Sequence, residues 1–496
     1  MDVTFHVVAS LVPAVALLML QPLQVFAFEA TWESLDSRPL PVWYDQAKFG
    51  IFIHWGVFSV PSYTEWFWYH WGRDGKGDDK RVQAFVNRTE LPNFSYADYA
   101  HRFDATLWDP QHWANVFAQS GAQYVVLTSK HHEGFCNWDS KDSVPLTWNW
   151  NSVDVGPKRD LVGELAEAVR NATSQHTHQT LRFGLYHSLY EWFNPLYEAD
   201  KKKKFQTQLF VTMKTMPELY DLVEKYAPEL IWSDGDWEAH SDYWDSKTFL
   251  AWYATNSSVA NTAVWNDRWG TDANCKHGSF LSCADRYLPD KVQEHKWENA
   301  NTITKSSWGY DRTLTLEDYY KADYLIHTLI QTVAYNGNML LNVGPRADGT
   351  LDPIFEDRLM DIGAWLSVNG EAIYGSRPWN VSQHEPDSNV FYTSVAKNKI
   401  LYAIFTEWPE GNRLHLNAPV TTDDTKVHLL GLKQQLSRNA RYLRWGNNGS
   451  GDGLTIELPA LTPREIPCQH AWTVAITGIA NLVEAKIPKP VETSRQ

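Results

Sequence analysis

Apolar and polar positions along the chain follow two successive rhythms. From about Phe28 to Ser376, short β-rich apolar runs alternate with longer stretches of helical period. The predicted strands are Phe49–Trp55, Tyr124–Ser129, Arg182–Ser188, Leu230–Gly235, Thr262–Asp267, His295–Asn299 and Met339–Gly344. Helical patterns lie between them at Leu161–Ala172, Phe205–Tyr226, Lys247–Asn256 and Asp318–Tyr335. The last has Thr315 three residues ahead of Asp318, a capping pattern, and sets Leu325, Leu329, Ile330 and Val333 on one face. Strands alternating with helices over ~350 residues predict a parallel sheet, closed as a (β/α)8-like, TIM-type barrel.

After a helix that ends near Gly370 the rhythm shortens. Val390–Ala396, Ile400–Thr406, Lys426–Leu432, Leu454–Pro459 and Ala471–Thr477 are β-rich, separated by polar or Gly/Asn turns, with no helix between them. That pattern predicts a C-terminal antiparallel β-sandwich. The expected organisation is a signal peptide over 1–27, a catalytic barrel over 28–376, the sandwich over 377–480 and a tail over 481–496.

The leader is the uncharged apolar stretch from Val7 to Phe28, broken by Pro13 and Gln21-Pro22, with small Val25 and Ala27 before a cut at Phe28. Its n-region, MDVTFH, carries Asp and no Lys or Arg, so an uncleaved anchor is the alternative. No later stretch reaches the ~18 apolar residues of a membrane span, so none is expected in the mature chain. Six Asn-x-Ser/Thr sequons, at Asn87, Asn93, Asn171, Asn256, Asn380 and Asn448, point to the secretory pathway, lysosomal or extracellular. In that compartment Cys275 and Cys283, eight apart in a Gly/Asn-containing loop, suit a local disulfide, with Cys136 and Cys468 left unpaired. The run Lys201–Lys204 reads as a solvated surface at a helix start.

The net charge of −15 argues against nucleic acid as a partner. With 43% hydrophobic and 21% charged residues the chain is an ordinary globular protein, apart from an aromatic fraction of 14%. Excess aromatics serve either the core or a pocket that stacks rings on the flat apolar faces of sugars. Assembly of identical chains stays open.

In a barrel of this kind function collects at the C-terminal strand ends. One polar residue there is ordinary capping, but five strands converge. They end in His54-Trp55, with Glu65-Trp66 on the loop, then His131-His132-Glu133, Tyr186-His187, Asp234, and Asn266-Asp267-Arg268. His131 and His132 are adjacent and on a strand would face opposite ways, and no metal-ligand spacing accompanies them. No nucleotide- or dinucleotide-binding glycine pattern and no G-x-S-x-G elbow is present either. No metal and no cofactor is therefore expected. Carboxylates in an aromatic pocket are what glycoside cleavage needs, one as nucleophile and one as acid and then base.

The motifs FGIFIHWGVFSVPSYTEWFWYHW, LTSKHHEGFCNWDS, LIWSDGDW, WNDRWG, HKWE, SWGY and LLNVGP, in this order, resemble the α-L-fucosidases of glycoside hydrolase family 29. The likeness takes in the sandwich as well, and so covers essentially the whole mature chain. It implies a retaining exo-glycosidase that removes terminal α-L-fucose from glycoproteins, glycolipids or oligosaccharides by double displacement, with a fucosylated glycan as partner. The family's nucleophile falls on Asp234, with Asp236 as a rival two residues on. The family's pocket falls on His54, Glu65, Trp66, His131, His132, Tyr186, Arg268 and Trp308. Fucose is a 6-deoxy sugar, so Trp308, Phe52 and Trp232 are expected at its methyl and apolar face. The imidazoles, Glu65 and the Trp66 N–H are expected at its hydroxyls, with Arg268 beside Asp234. The acid/base falls in a poorly matched stretch. Asp285, in a loop just beyond Cys283, is favoured, and Glu298, in a strand beside Lys296, is the alternative. Two other readings are a catalytically silent, lectin-like fucose-binding protein and a related glycosidase for galactose-configured sugars.

Overall fold

The computed structural model describes residues 27–73, 75–141, 150–433, 442–447 and 453–482. The expected leader (except residue 27), the sequon at Asn448 and nearly all of the tail lie outside these residues.

All seven predicted strands form. They are β1 Phe49–Ile53, β2 Tyr124–Lys130, β3 Arg182–Ser188, β4 Leu230–Asp234, β5 Val264–Trp265, β6 Trp297–Thr302 and β7 Gly337–Val343. Every pairing is parallel, in the order β5-β4-β3-β2-β1-β7-β6. The ends of this curved sheet are joined through residues 279–281. The Ser279 N–H donates to the Trp265 carbonyl (3.0 Å), Leu281 N–H to Lys296 O (2.9 Å), and Glu298 N–H to Leu281 O (2.9 Å). Both faces of the sheet are covered, which is why the strands read as continuous apolar runs. In β1, Phe49, Ile51 and Ile53 pack outward against helix residues such as Phe117 and Leu329. Phe52 points inward to join Tyr124, Tyr186, Leu230, Trp232 and Leu340 in the barrel lumen.

The helices begin where side chains cap them. Asp160 accepts from Gly163 N–H at the head of Leu161–Asn171, and Asp352 accepts from Ile354 N–H ahead of Pro353 in Pro353–Ile373. The expected helix from Phe205 is shorter. Lys204 and Phe205 take positive φ, the chain turns there, and a π-helical turn at Val211–Thr215 leads into Met216–Tyr226 ahead of Pro217. The Thr315–Asp318 capping box forms too, but it closes a single 3₁₀ turn at Leu316–Asp318. Tyr319 is extended, and the helix itself runs Ala322–Ala334. The four lysines 201–204 are exposed as expected, but at the C-terminal end of helix Pro195–Lys202, where cations favour the helix dipole.

The C-terminal strands are antiparallel, in two sheets. Val390–Val395, Ile400–Phe405, Thr421–Leu429 and Trp472–Ile479 build the larger, with short edge strands Arg377–Pro378 and His384–Glu385. Arg413–Leu416, Leu454–Glu457 and Arg444–Asn447 build the smaller. Leu414, Leu416, Leu454 and Ile456 of one pack on Leu401, Val427, Val474 and Ile476 of the other. This sandwich is bonded to the barrel's outer helices, through Trp365 Nε1–H to Ala471 O (2.9 Å) and His327 Nε2 to His470 O (2.9 Å).

Candidate active site

Asp234 is the last residue of β4. Gly235 follows at φ +76°, and a Cβ there would lie 2.2 Å from the Tyr190 ring, so only glycine makes this exit. The turn takes Asp236 off the strand and away from the cavity. Its buried carboxylate accepts from Gly270 N–H (3.0 Å), and burial, with the charge of Asp234, raises its pKa to about 6. The strand end is fixed by Asn266, which accepts from Ser233 N–H (3.0 Å) and Oγ–H (2.9 Å) and donates to Ser233 O (2.8 Å).

Two residues beyond Asn266, Arg268 turns into the barrel mouth. Its Nη1 is 3.1 Å from Asp234 Oδ1 and its Nη2 2.6 Å from Asp285 Oδ1. The guanidinium also lies over the Trp232 ring, 4.6 Å from its centroid. Asp285 reaches this position on a tightly held loop. The fully buried Asp267 accepts from the backbone N–H groups of Cys275 (2.8 Å), Ser282 (2.9 Å) and Cys283 (3.0 Å) and from the Ser282 hydroxyl (2.6 Å). Cys275 and Cys283 are disulfide-bonded, and Cys136 and Cys468 are free. Asp234 is buried, whereas the Asp285 side chain is 46% exposed and open to solvent protons.

These groups border a cavity of about 200 Å³ lined by Phe52, His54, Glu65, Trp66, His131, His132, Tyr186, Trp232, Asp234, Trp237, Arg268, Asp285 and Trp308. Every residue that the family resemblance assigned to the pocket is present. Tyr186 donates its hydroxyl to Asp234 Oδ2 (2.8 Å), and burial and that carboxylate push its own pKa well up, so it stays a donor. Glu65, on the loop after β1, accepts from the N–H groups of Trp308 (3.2 Å) and Gly309 (2.8 Å). The two histidines after β2 do not face opposite ways. The strand ends at Lys130, and both rings line the cavity with centroids 4.1 Å apart. His187 does alternate away from Tyr186, and its Nε2 sits 3.4 Å from buried Glu218. Burial and neighbouring imidazoles lower the pKa of His54 and His132 well below the ordinary histidine value, so both are neutral.

Glu298 lies beneath the cavity and does not line it. It is fully buried and accepts from Tyr44 Oη–H (2.7 Å), Tyr124 Oη–H (2.6 Å) and Trp232 Nε1–H (3.0 Å). Burial raises its pKa to about 7. Lys296 pairs with Asp45 (3.0 Å). No cluster of three or more His, Cys, Asp or Glu able to hold a metal ion occurs among the described residues, and no helix there is long and apolar enough to cross a membrane.

Sequence reasoning missed Trp237, which follows the Gly235 turn and borders His132 edge-on with ring centroids 5.4 Å apart. It also missed Ser188 and Asn342 behind the histidines. Trp237 stands in the WSDGDW stretch, but only the turn shows that its ring comes back to the mouth.

Two carboxylates beside an aromatic cavity lined with hydrogen-bonding side chains, at the C-terminal mouth of a parallel barrel, are the arrangement of a glycoside hydrolase. The alpha-L-fucosidase family profile matches residues 17–371 and the alpha-L-fucosidase C-terminal domain profile residues 383–477. The tissue alpha-L-fucosidase of Homo sapiens is 50% identical over 449 residues, 90% of this chain and 91% of that protein. The human plasma alpha-L-fucosidase is 47% identical over 454 residues, 91% of this chain and 93% of that protein. The Thermotoga maritima alpha-fucosidase solved with a mechanism-based inhibitor superposes with a TM-score of 0.72 at 31% identity, covering 91% of this chain and all of that one. The chain belongs to the alpha-L-fucosidase family and is a hydrolase of fucosylated glycans. Neither a silent binding protein nor a galactose-directed enzyme finds support in these relatives.

Proposed function

We propose that the protein cleaves terminal α-L-fucosides with retention, Asp234 attacking the anomeric carbon and Asp285 serving as acid and then base. The observation that carries this reading is the single guanidinium shared by the two carboxylates. Carboxylates on neighbouring Nη atoms of one guanidinium are close enough for the about 5–5.5 Å separation that a double displacement needs. In the first step Asp234 loses its charge to the glycosyl bond while Asp285 gives a proton to the departing oxygen. Arg268 is then left facing Asp285 alone and favours the anion that must deprotonate water in the second step. Exposure of Asp285 supports this role, because an acid/base must reach the leaving group and water. Glu298, enclosed by Tyr44, Tyr124 and Trp232, is read as a support for the cavity floor.

The same reading gives the hydroxyl contacts to His54, His131, His132, Glu65 and Trp66, and the apolar methyl to Phe52, Trp232 and Trp308. It assigns 28–376 to the catalytic barrel and 377–480 to the C-terminal β-sandwich. Residence along the secretory route is supported by the exposure of all five described sequon asparagines, Asn87, Asn93, Asn171, Asn256 and Asn380. The test is hydrolysis of 4-nitrophenyl α-L-fucoside by the mature protein beside Asp234→Gly. Turnover by the wild type, its loss in the variant and its return as β-fucosyl azide on adding azide are expected. Undiminished activity of Asp234→Gly would overturn the assignment.

A further inference from the structure

His54 and His132 each touch a second residue that leaves their rings one proton arrangement. The Asn342 side-chain N–H donates to Trp308 O (2.7 Å), so its Oδ1, 2.7 Å from His54 Nδ1, is an acceptor. The Ser188 hydroxyl donates to Tyr190 O (2.7 Å), so towards His132 Nδ1, also at 2.7 Å, it too accepts. Each imidazole must therefore carry its hydrogen on Nδ1. Both rings are buried and neutral, so each keeps a bare Nε2 for the cavity. The His132 ring also faces the carboxylate of Asp234. Its Nε2 sits 3.5 Å from Asp234 Oδ2, so in the neutral ring two acceptors face each other.

We propose that Asn342 and Ser188 are specificity-determining positioning residues, which make the His54 and His132 rings of the fucose pocket accept hydrogen bonds only, so that each reads a sugar hydroxyl as a donor. The inference rests on the reading of this cavity as the fucose site. A hydroxyl that donates to Nε2 satisfies the ring, whereas a group that only accepts leaves the lone pairs opposed. Asn342 and Ser188 are themselves 2% and 0% exposed, do not line the cavity and reach it through the groups they hold, the imidazoles and, for Asn342, the Trp308 backbone.

The experiment is competitive inhibition of 4-nitrophenyl α-L-fucoside hydrolysis by L-fucose and by its deoxy and deoxyfluoro derivatives at C2, C3 and C4. Fluorine accepts but cannot donate. At the positions facing the two histidines, removal of the hydroxyl is expected to weaken binding by about tenfold or more, and fluorine to restore none of it. In Ser188→Ala and Asn342→Ala, whose rings are free to move the proton to Nε2, the fluoro sugar should bind better than the deoxy sugar. Ser188→Thr, which keeps the hydroxyl, should behave as wild type. Fluorine restoring most of the lost affinity at every position in the wild type would overturn the proposal without touching the active-site reading. Failure of L-fucose itself to compete would instead overturn the reading of the cavity.

Discussion

Asp234 and Asp285 are held on the two Nη atoms of one guanidinium, at 3.1 and 2.6 Å. The proposed nucleophile and acid/base thus share one counter-ion, and a change of charge on either is felt by the other. Lysine has one ammonium and cannot span both carboxylates. Arg268→Lys is expected to lower kcat by about 10²–10³-fold with little change in melting temperature, measured by steady-state hydrolysis and thermal unfolding. An unchanged kcat would separate the two carboxylates electrostatically.

Tyr186 donates to the Asp234 oxygen that Arg268 does not hold. Tyr186→Phe should lower kcat/KM by about ten- to a hundredfold, the value of a hydrogen bond to a charged group. The hydroxyl's pKa lies well above its ordinary value, so it remains a donor throughout the working range. The loss should therefore be the same at pH 4.5 and at pH 8, and a loss confined to one limb of the pH profile would contradict this.

Asp267 never enters the cavity, yet it collects four hydrogen bonds from the loop that carries Asp285. Asp267→Asn sets an amide donor among those N–H groups and is expected to cost about 2–4 kcal/mol of stability and to lower kcat more than it raises KM. Cys283→Ser, which opens the short disulfide loop, should act in the same direction with up to about 2–3 kcal/mol. Chemical denaturation and steady-state kinetics read both effects.

Glu298 makes a pH signature of its own. Burial raises its folded pKa from 4.5 to about 7. Between those values the unfolded chain gives up the proton while the folded chain keeps it, so stability falls as pH rises from about 4.5 to 7 and levels off above. The full change is about 3 kcal/mol. Denaturation of wild type and Glu298→Gln at pH 4.5 and 7.5 should show this component in the former and lose it in the latter. Equal pH dependence in both would contradict it.

The sheet was legible in the sequence because strands buried on both faces leave long apolar runs such as Tyr124–Ser129, and the mouth because five of the seven runs lead into polar or ionisable residues. Features made by backbone direction were not. The positive φ of Gly235 sends Asp234 to the cavity and Asp236 away from it, and no side-chain pattern states it. Strands as short as Arg413–Leu416 and Arg444–Asn447 are held by pairing with Leu454–Glu457 rather than by their own propensity. The Thr315–Asp318 box closes its bonds as read, yet Tyr319 extends immediately after it, so the local cap did not propagate into a helix. Ser188 and Asn342 carry no motif and become visible only once the rings they touch are in place.

Asp234 is the group proposed to bond the sugar, and the most direct measurement is to catch that bond. The mature protein, incubated with 2-deoxy-2-fluoro-α-L-fucosyl fluoride, should lose activity and gain one fluorofucosyl mass. Peptide mapping should locate that mass on Asp234 within Leu230–Trp237. A label on Asp236, on Glu298 or on no residue of a protein that still hydrolyses α-L-fucosides would contradict it.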